Sequence, residues 1–400
     1  MNWDYDVIVV GAGPGGSAAA RSCAQAGLKT LLIEKEHLPR YKPCGGCLSL
    51  KSVRLIEFDL TPVIENTIFG AKFTYRLKDP IVIRSRDPIA CMVMRDRFDQ
   101  LLVEKALEKG VTLLEGEKVV RIADGEDGAE VELVGGSRFR GNYLIGADGP
   151  GSVVAKAVGI SQSGDDRSGT ALESEILLGS IDDFPEEDRS LVHLDFGGVR
   201  NGYGWVFPKR ERLSIGIGGM FREGERLNAR QFYATFVRGL DYLKEAKTER
   251  ILGHPLPSFH DEKQTVSRGR LLLVGDAAHL MDPLTGEGIY YALRSGMLAA
   301  DAIIQSKGRG IPPSDLYQIA VRFHIVEKLK WALHFSRFVF RFPKLAYQTL
   351  KRYPDLADLY LQVLEGGETY QGFVIRVKER VGGLLKGHLS EKIKTAMARI

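Results

Sequence analysis

The sequence predicts an α/β fold with a mostly antiparallel β-sheet inserted into it and a helical C-terminal region. Three observations predict it. A strand, a glycine-rich turn, a helix and a second strand follow one another between Tyr5 and Glu34. Apolar and polar residues alternate in "AKFTYRLKDPIVIRS" and from Gly169 to about Gly219, with turn signals between the runs. From about Pro313 to the end the pattern is helical.

In "DYDVIVVGAGPGGSAAARSCAQAGLKTLLIEK" the stretch from Tyr5 to Val10 reads as a buried strand, Gly15 to Ala26 as a small-residue helix, and Leu28 to Glu34 as the second strand. Gly11, Gly13 and Gly16 form G-x-G-x-x-G at the strand-to-helix turn, with Pro14 and Gly15 between them. The first glycine permits a sharp turn, the second lets the backbone approach a pyrophosphate, and the third lets helix and strand pack closely. The helix N-terminus then offers amides and a positive dipole to phosphate. Glu34 ends the second strand, where a carboxylate can accept hydrogen bonds from ribose hydroxyls. Together these features predict a Rossmann-like site for NAD(P) or FAD.

A distant segment favours FAD. In "RGRLLLVGDAAHLMDPLTGEGIYYALRSG" an apolar strand from Leu271 to Val274 runs into Gly275 and Asp276, and a glycine-bearing loop opens a helix at Gly288. Asp276 suits a ribityl or pyrophosphate contact. Amides from Gly286 to Ile289 suit the pyrimidine edge of a flavin, where a helix start favours negative charge.

These residues resemble the para-hydroxybenzoate hydroxylase-like class of FAD enzymes. The resemblance rests on the N-terminal glycine motif, on "LIGADGPGS" with Asp148 and Gly149, and on "GDAAHLMDPLTGEG" with Asp276, Pro283, Gly286 and Gly288. "MRDRFDQLL" is similar to the class's R-x-x-F-D helix entry, which casts Arg95 as a contact to the phosphate-ribityl region. Lys35 and Val119 are cofactor neighbours on the same footing. The resemblance implies an FAD domain assembled from 1–68, 92–165 and 265–315, a substrate-binding sheet domain from 69–91 and 166–264, and a helical region from 316–400.

Within that class two stretches resemble the geranylgeranyl reductase family. "GYGWVFPK" carries Y-x-W-x-F-P as Tyr203, Trp205, Phe207 and Pro208. In the family a motif of this form shapes a polyprenyl tunnel near the flavin. Alternation along a strand would turn the three rings to one face. "RYKPCGGCLS" resembles the family's loop in which a cysteine and glycine lie near the flavin ring, which assigns Cys44, Gly45 and Gly46 to the site. Taken alone, the C-x-x-C of Cys44 and Cys47 also fits a thiol-exchange pair or an inert loop. A structural zinc site is disfavoured because no second ligand pair accompanies it.

The implied reaction is saturation of isolated double bonds of a polyprenyl group carried by a diphosphate, an ether-lipid precursor, a quinone or a chlorophyll-type molecule. Cys44, Tyr203 and Trp205 are the candidate catalytic residues, with Cys44, Tyr203 and water open as proton source. NADPH and ferredoxin are both open as electron donor, since no second dinucleotide motif is present. The alternative is an FAD-dependent monooxygenase or halogenase acting on an aromatic or alkene substrate. A rival of another class is a non-catalytic flavin-binding membrane protein with a redox-sensing C-x-x-C.

Segment 328–353, "KLKWALHFSRFVFRFPKLAYQTLKRY", holds seven Lys or Arg, seven aromatic residues and no acid. It reads as a peripheral membrane contact or as a packed helix with outward cations. Four cysteines are too few for a disulfide scaffold, and no secretory signal or membrane-spanning run is visible, so the expected location is cytoplasmic, with contact to the inner membrane face. A net charge of +4 gives no case for nucleic acid. A monomer is expected.

Overall fold

The apolar run Tyr5–Val10 forms β1, Pro14–Gln25 forms α1 and Thr30–Glu34 forms β2, with β1 parallel to β2. The strand-turn-helix-strand order predicted from the glycine motif is therefore present. The structure is a computed structural model that describes residues 3–125, 127–159, 169–180, 184–219, 229–243, 250–307 and 310–388. Positions 166–168, 181–183, 220–228, 244–249 and 389–400 of the expected sheet and helical regions lie outside the described residues.

After β2 come β3 (Cys47–Ser49), α2 (Leu50–Val53), β4 (Ile64–Ile68), β5 (Gly70–Tyr75), β6 (Lys78–Arg84), β7 (Ala90–Val93) and α3 (Arg95–Leu107). The chain continues through β8 (Thr112–Glu115), β9 (Val119–Gly125), β10 (Gly128–Leu133), β11 (Arg138–Gly146) and α4 (Val153–Val158). Then follow β12 (Gly169–Leu177), β13 (Leu191–Phe196), β14 (Gly202–Pro208), β15 (Arg212–Gly219), α5 (Ala229–Arg238) and β16 (Leu252–Leu256). β17 (Ser267–Arg268), β18 (Leu271–Leu273) and α6 (Ile289–Ser306) return to the first layer. Five helices end the described chain: α7 (Pro313–Val321), α8 (Glu327–Arg341), α9 (Pro343–Arg352), α10 (Pro354–Glu365) and α11 (Tyr370–His388).

Among the described residues the strands make three sheets. The first has the order β17-β18-β11-β1-β2-β8, parallel from β18 to β8, with β10 added antiparallel to β11 and β9 antiparallel to β10. Its central strands are apolar on both faces because helices cover both, as in a doubly wound sheet. Val7, Ile8, Val9, Leu32, Leu144 and Leu272 are fully buried there. The second sheet runs β16-β12-β15-β14-β13-β5-β6 and is antiparallel except where β13 lies parallel to β5. β3, β7 and β4 form a small third sheet.

Side chains alternate across the second sheet. Val206, Leu213, Ile215 and Ile217 pack under α5 with Tyr233 and Phe236. The opposite face carries Trp205, Gly216 and Gly218 and is turned toward the glycine loops of the first sheet. Proline begins α7, α9 and α10, where a missing amide hydrogen costs a helix nothing.

The aromatic residues of segment 328–353 point inward. Phe335 and Phe338 of α8 and Tyr347 of α9 are buried, while Arg337, Arg341 and Lys344 face outward. Among the described residues no helix is long and apolar enough to cross a membrane.

On the α5 side of the second sheet, Thr74 donates to Asp195 Oδ1 at 2.7 Å and meets His193 Nε2 at 2.8 Å. The Leu77 amide also donates to Asp195, at 2.6 Å. Burial nonetheless raises the Asp195 carboxyl to about 6 and lowers His193 to about 3. A carboxyl raised on folding adds stability below its unfolded value that is lost as pH rises through about 6. Asp195→Asn removes that dependence, so the wild type should gain on the variant in urea-unfolding free energy as pH falls from 7 to 4. The His193 contribution, which runs the other way, is common to both proteins and cancels.

Candidate active site

A cavity of about 300 Å³ lies between the glycine loops of the first sheet and the exposed face of the second. Gly13, Pro14 and Gly15 form one wall at the start of α1, which no side chain caps. Gly11 has φ +100°, and a Cβ on Gly16 would stand 1.8 Å from the Gly11 carbonyl oxygen. Neither position admits a side chain, so α1 is held tightly on β1.

Glu34, 4% exposed, turns back to this loop and accepts the Ala12 amide at 2.9 Å. Arg40 stands 3.5 Å from Glu34 Oε2 and 2.9 Å from Asp99 Oδ2. Arg95 donates to Asp99 at 2.8 Å, one turn along α3. Removing one partner of a buried pair of this kind costs about 3–5 kcal/mol, so the cluster is rigid.

The second wall is the loop from Met281 to Gly288, followed by α6. Asp282, fully buried, accepts the Leu284 amide at 2.7 Å, the Thr285 amide at 3.1 Å and the Tyr370 hydroxyl at 2.7 Å. Glu287 accepts from Ser49 and pairs with Lys51 at 2.5 Å. The loop is thus fixed from both sides, and α6 begins with no side-chain cap and no acid in its first turn. Free amides at such a helix start attract negative charge.

The floor is β14. Tyr203, Trp205 and Phe207 share one face, with centroids 6.3 Å apart for the first pair and 6.1 Å for the second. Trp205 lies opposite Gly216 of β15, and a Cβ there would stand 2.2 Å from the indole. The glycine therefore gives the ring its bed. Tyr203 donates its hydroxyl to the Thr285 carbonyl, which ties the floor to the second wall. The loop of Cys44, Gly45 and Gly46 covers the floor, with Gly45 directly against the Phe207 ring. Cys44 and Cys47 are free thiols, and burial pushes Cys47 up to about 12. Among the described residues no cluster suited to a metal ion occurs.

The structure brings together on the cavity Gly13, Pro14, Gly15, Cys44, Gly45, Gly46, Arg95, Gly149, Tyr203, Trp205, Phe207, Gly275, Asp276, Pro283, Gly286, Gly288 and Ile289. Gly11, Gly16 and Glu34 support it from behind. Asp148 does not border it but accepts Ser152 Oγ at 2.5 Å and the Val153 amide at 2.7 Å, which caps α4 and shapes the turn at Gly149. Pro208 is buried at the end of β14, Val119 is buried at the start of β9, and Lys35 is exposed beyond Glu34. Those three do not border the cavity.

Several lining residues were not anticipated. Lys42 sits among Asp276, Arg95 and Asp99, and desolvation draws its pKa down. His254 of β16 has a buried Nε2 with no hydrogen-bond partner among the described residues, and burial lowers it to about 4, so the ring is neutral. Glu173 of β12 lines the floor's edge, and Phe340, Tyr360 and Leu364 of the C-terminal helices close the far end. An acid within the apolar strand "TALESEIL" was a readable signal. The helix residues carried none, because their approach depends on tertiary packing.

These residues fit FAD. The glycine turn admits a pyrophosphate against α1, Glu34 lies where a ribose belongs, the α6 amides meet an electron-rich ring edge, and the orphan His254 nitrogen awaits a polar partner. Glu34→Ala should weaken FAD binding about 10- to 100-fold, the worth of a charge-assisted bond of about 1.5–3 kcal/mol, through loss of the ribose contact or of the Ala12 amide bond that shapes the glycine turn. Flavin fluorescence during equilibrium dialysis checks it.

A family model described as an FAD binding domain matches residues 4–307. An uncharacterised protein of Methanosarcina barkeri is 31% identical over 96% of this chain and 97% of its own. A chloroplastic geranylgeranyl diphosphate reductase of rice, Oryza sativa subsp. japonica, is 30% identical over 81% of this chain and 72% of its own. A digeranylgeranylglycerophospholipid reductase of Thermoplasma volcanium is 32% identical over 74% and 77%. Among solved structures, a geranylgeranyl bacteriochlorophyll reductase-like protein of Thermoplasma acidophilum superposes with TM-score 0.75 at 24% identity, covering 94% of this chain and 99% of that one. This chain belongs to the geranylgeranyl reductase family of FAD-dependent oxidoreductases.

Proposed function

We propose that this protein saturates isolated double bonds of a polyprenyl group. One observation carries the reading: the aromatic floor of Tyr203, Trp205 and Phe207 and the glycine loops that fit FAD face the same cavity. In this reading 1–68, 92–165 and 265–315 hold FAD, 69–91 and 166–264 hold the prenyl chain, and the helices from 316 onward close the tunnel.

An isolated double bond is unactivated, so hydride addition alone would leave an unstabilised carbanion. Reduced FAD supplies the hydride when bound. Addition of a proton to one carbon gives the other the character of a tertiary cation. The faces of Trp205 and Tyr203 stabilise that charge, by about 2 kcal/mol or more where water is excluded. Val192, Leu194, Leu252 and Leu364 keep the cavity apolar. Tyr203 spends its proton on the Thr285 carbonyl and acts in this reading by position.

The prenyl carrier is either a free diphosphate or a glycerophospholipid, the two substrate types named for the relatives above. Supplying each to the chemically reduced holoprotein and weighing the products separates them. The reductant in this reading is NADPH or ferredoxin, told apart by which one reduces the flavin anaerobically. Membrane contact through 328–353 rests on its outward cations, since the aromatic residues are packed inside.

A further inference from the structure

Glu173 is a buried acid on the cavity that the roles above leave unused. It is 2% exposed. The Tyr41 hydroxyl donates to its Oε1 at 2.7 Å, and the Cys44 amide approaches the same carboxyl. Oε2 has no hydrogen-bond partner among the described residues. Glu173 lies opposite Gly216 on β15, and Gly216 lies opposite Trp205 on β14. Only a glycine separates the carboxyl from the indole along this row, so Glu173 stands at the edge of the aromatic floor.

Its surroundings favour the acid form. Glu175, two residues along the same strand face, pairs with Lys209 at 2.5 Å, and both are buried. Lys209 is bonded to Glu175 and not to Glu173, and Arg212 is the other cation acting on Glu175, so ionising Glu173 as well would place in the cavity wall a carboxylate with no ion pair of its own among the described residues. Burial first, and the charge of Glu175 with it, pushes Glu173 above the usual carboxyl range. The other groups acting on it are Tyr41 and Cys44 from the covering loop and Tyr233 from α5, whose hydroxyl burial holds in the protonated form. Tyr41 is 46% exposed and so joins the buried carboxyl to solvent.

We propose that Glu173 is the proton donor to the double bond and that Tyr41 returns the proton from water. This inference rests on the polyprenyl-reductase reading. The Oε2–H bond breaks as the alkene's π pair forms a new C–H bond. The adjacent carbon, left electron-deficient, receives the hydride supplied by the FAD-dependent reduction. The resulting Glu173 carboxylate regains its proton through the Tyr41 hydroxyl.

Glu173→Gln keeps the shape and removes the acid proton. In the holoprotein it should leave flavin content and photoreduction unchanged and slow anaerobic flavin reoxidation by geranylgeranyl diphosphate or a geranylgeranylated lipid at least about 100-fold. Infrared spectra of the wild-type holoprotein at neutral pH should contain a protonated-carboxyl band that the variant lacks. Tyr41→Phe should leave the first turnover intact and slow later ones about tenfold, since only reloading is impaired. Reoxidation of Glu173→Gln at the wild-type rate, or no such band in the wild type, would overturn this assignment alone. A wild-type protein that reduces no prenyl compound would overturn the polyprenyl reading and this assignment with it.

Discussion

Gly16→Ala is expected to strip the protein of FAD. The new Cβ would stand 1.8 Å from the Gly11 carbonyl oxygen and 3.0 Å from the Ala147 side chain, and the first of these neighbours is backbone that has no rotamer to change. α1 must therefore lift from β1, which carries its N-terminal amides away from the cavity. Overpacking of this kind costs about 1–3 kcal/mol in stability, and the displaced amides should weaken FAD at least about 100-fold. Gly135→Ala is the matched control, because the Cβ it adds would meet nothing within 4 Å. Comparing flavin content of the two variants after gel filtration checks the expectation. Equal retention would mean that the tight crossing of α1 over β1 does not position the cofactor.

The second large effect is expected from Gly216→Ala, at the other side of the cavity. Its Cβ would meet Trp205 Cζ2 at 2.2 Å and both Cε2 and Cη2 at 2.6 Å. The indole lies between Tyr203 and Phe207, its Nε1 donates to Ser214 Oγ at 3.4 Å and Gly45 stands close to it, so the added methyl must push the ring out of this position. Prenyl reduction should fall about 100-fold through loss of the bed that orients the substrate, and FAD binding should fall less, because the substituted residue lies on β15 and not in a glycine loop. The three crowded atoms all belong to the six-membered ring of the indole, Cε2 at its fusion edge, and the smaller phenylalanine ring at 205 relieves the crowding at Cζ2 and Cη2. The double variant Gly216→Ala with Trp205→Phe should therefore recover at least tenfold of that loss. A double variant no better than the single one would show that the clash is not the cause.

The cofactor half of the fold was legible because its signals are local. Gly11 and Gly16 mark a turn whose backbone leaves no room for side chains, Gly13 stands between them on the cavity, and Glu34 follows at the end of the next strand. The same holds for Gly275 to Ile289, where strand, turn and helix lie within one short stretch. The three aromatic residues of β14 were legible by their period of two, and they do share a face.

The other residues became visible only through pairing of distant strands. Glu173 reaches the floor because β12 pairs β15, and β15 pairs β14. His254 reaches the cavity because β16 pairs with β12 opposite Ala171. Neither register can be read from a single strand's pattern. The C-terminal helices show the same limit. Their apolar stripes announce burial but not the surface they cover, and Tyr370 closes on Asp282 across 88 residues of chain. The composition of 328–353 invited a membrane reading, yet Phe335, Phe338 and Tyr347 are spent on the interior. A basic aromatic stretch has the same composition in both settings, and only the packing tells them apart.

The most direct test of the central claim mixes photoreduced holoprotein, without oxygen, with geranylgeranyl diphosphate in one arm and a geranylgeranylated glycerophospholipid in the other. Flavin absorbance and product mass are followed together. The predicted result is reoxidation of the flavin in at least one arm, with two hydrogens gained by the prenyl chain for each flavin reoxidised. A flavin that stays reduced in both arms until oxygen is admitted would contradict it.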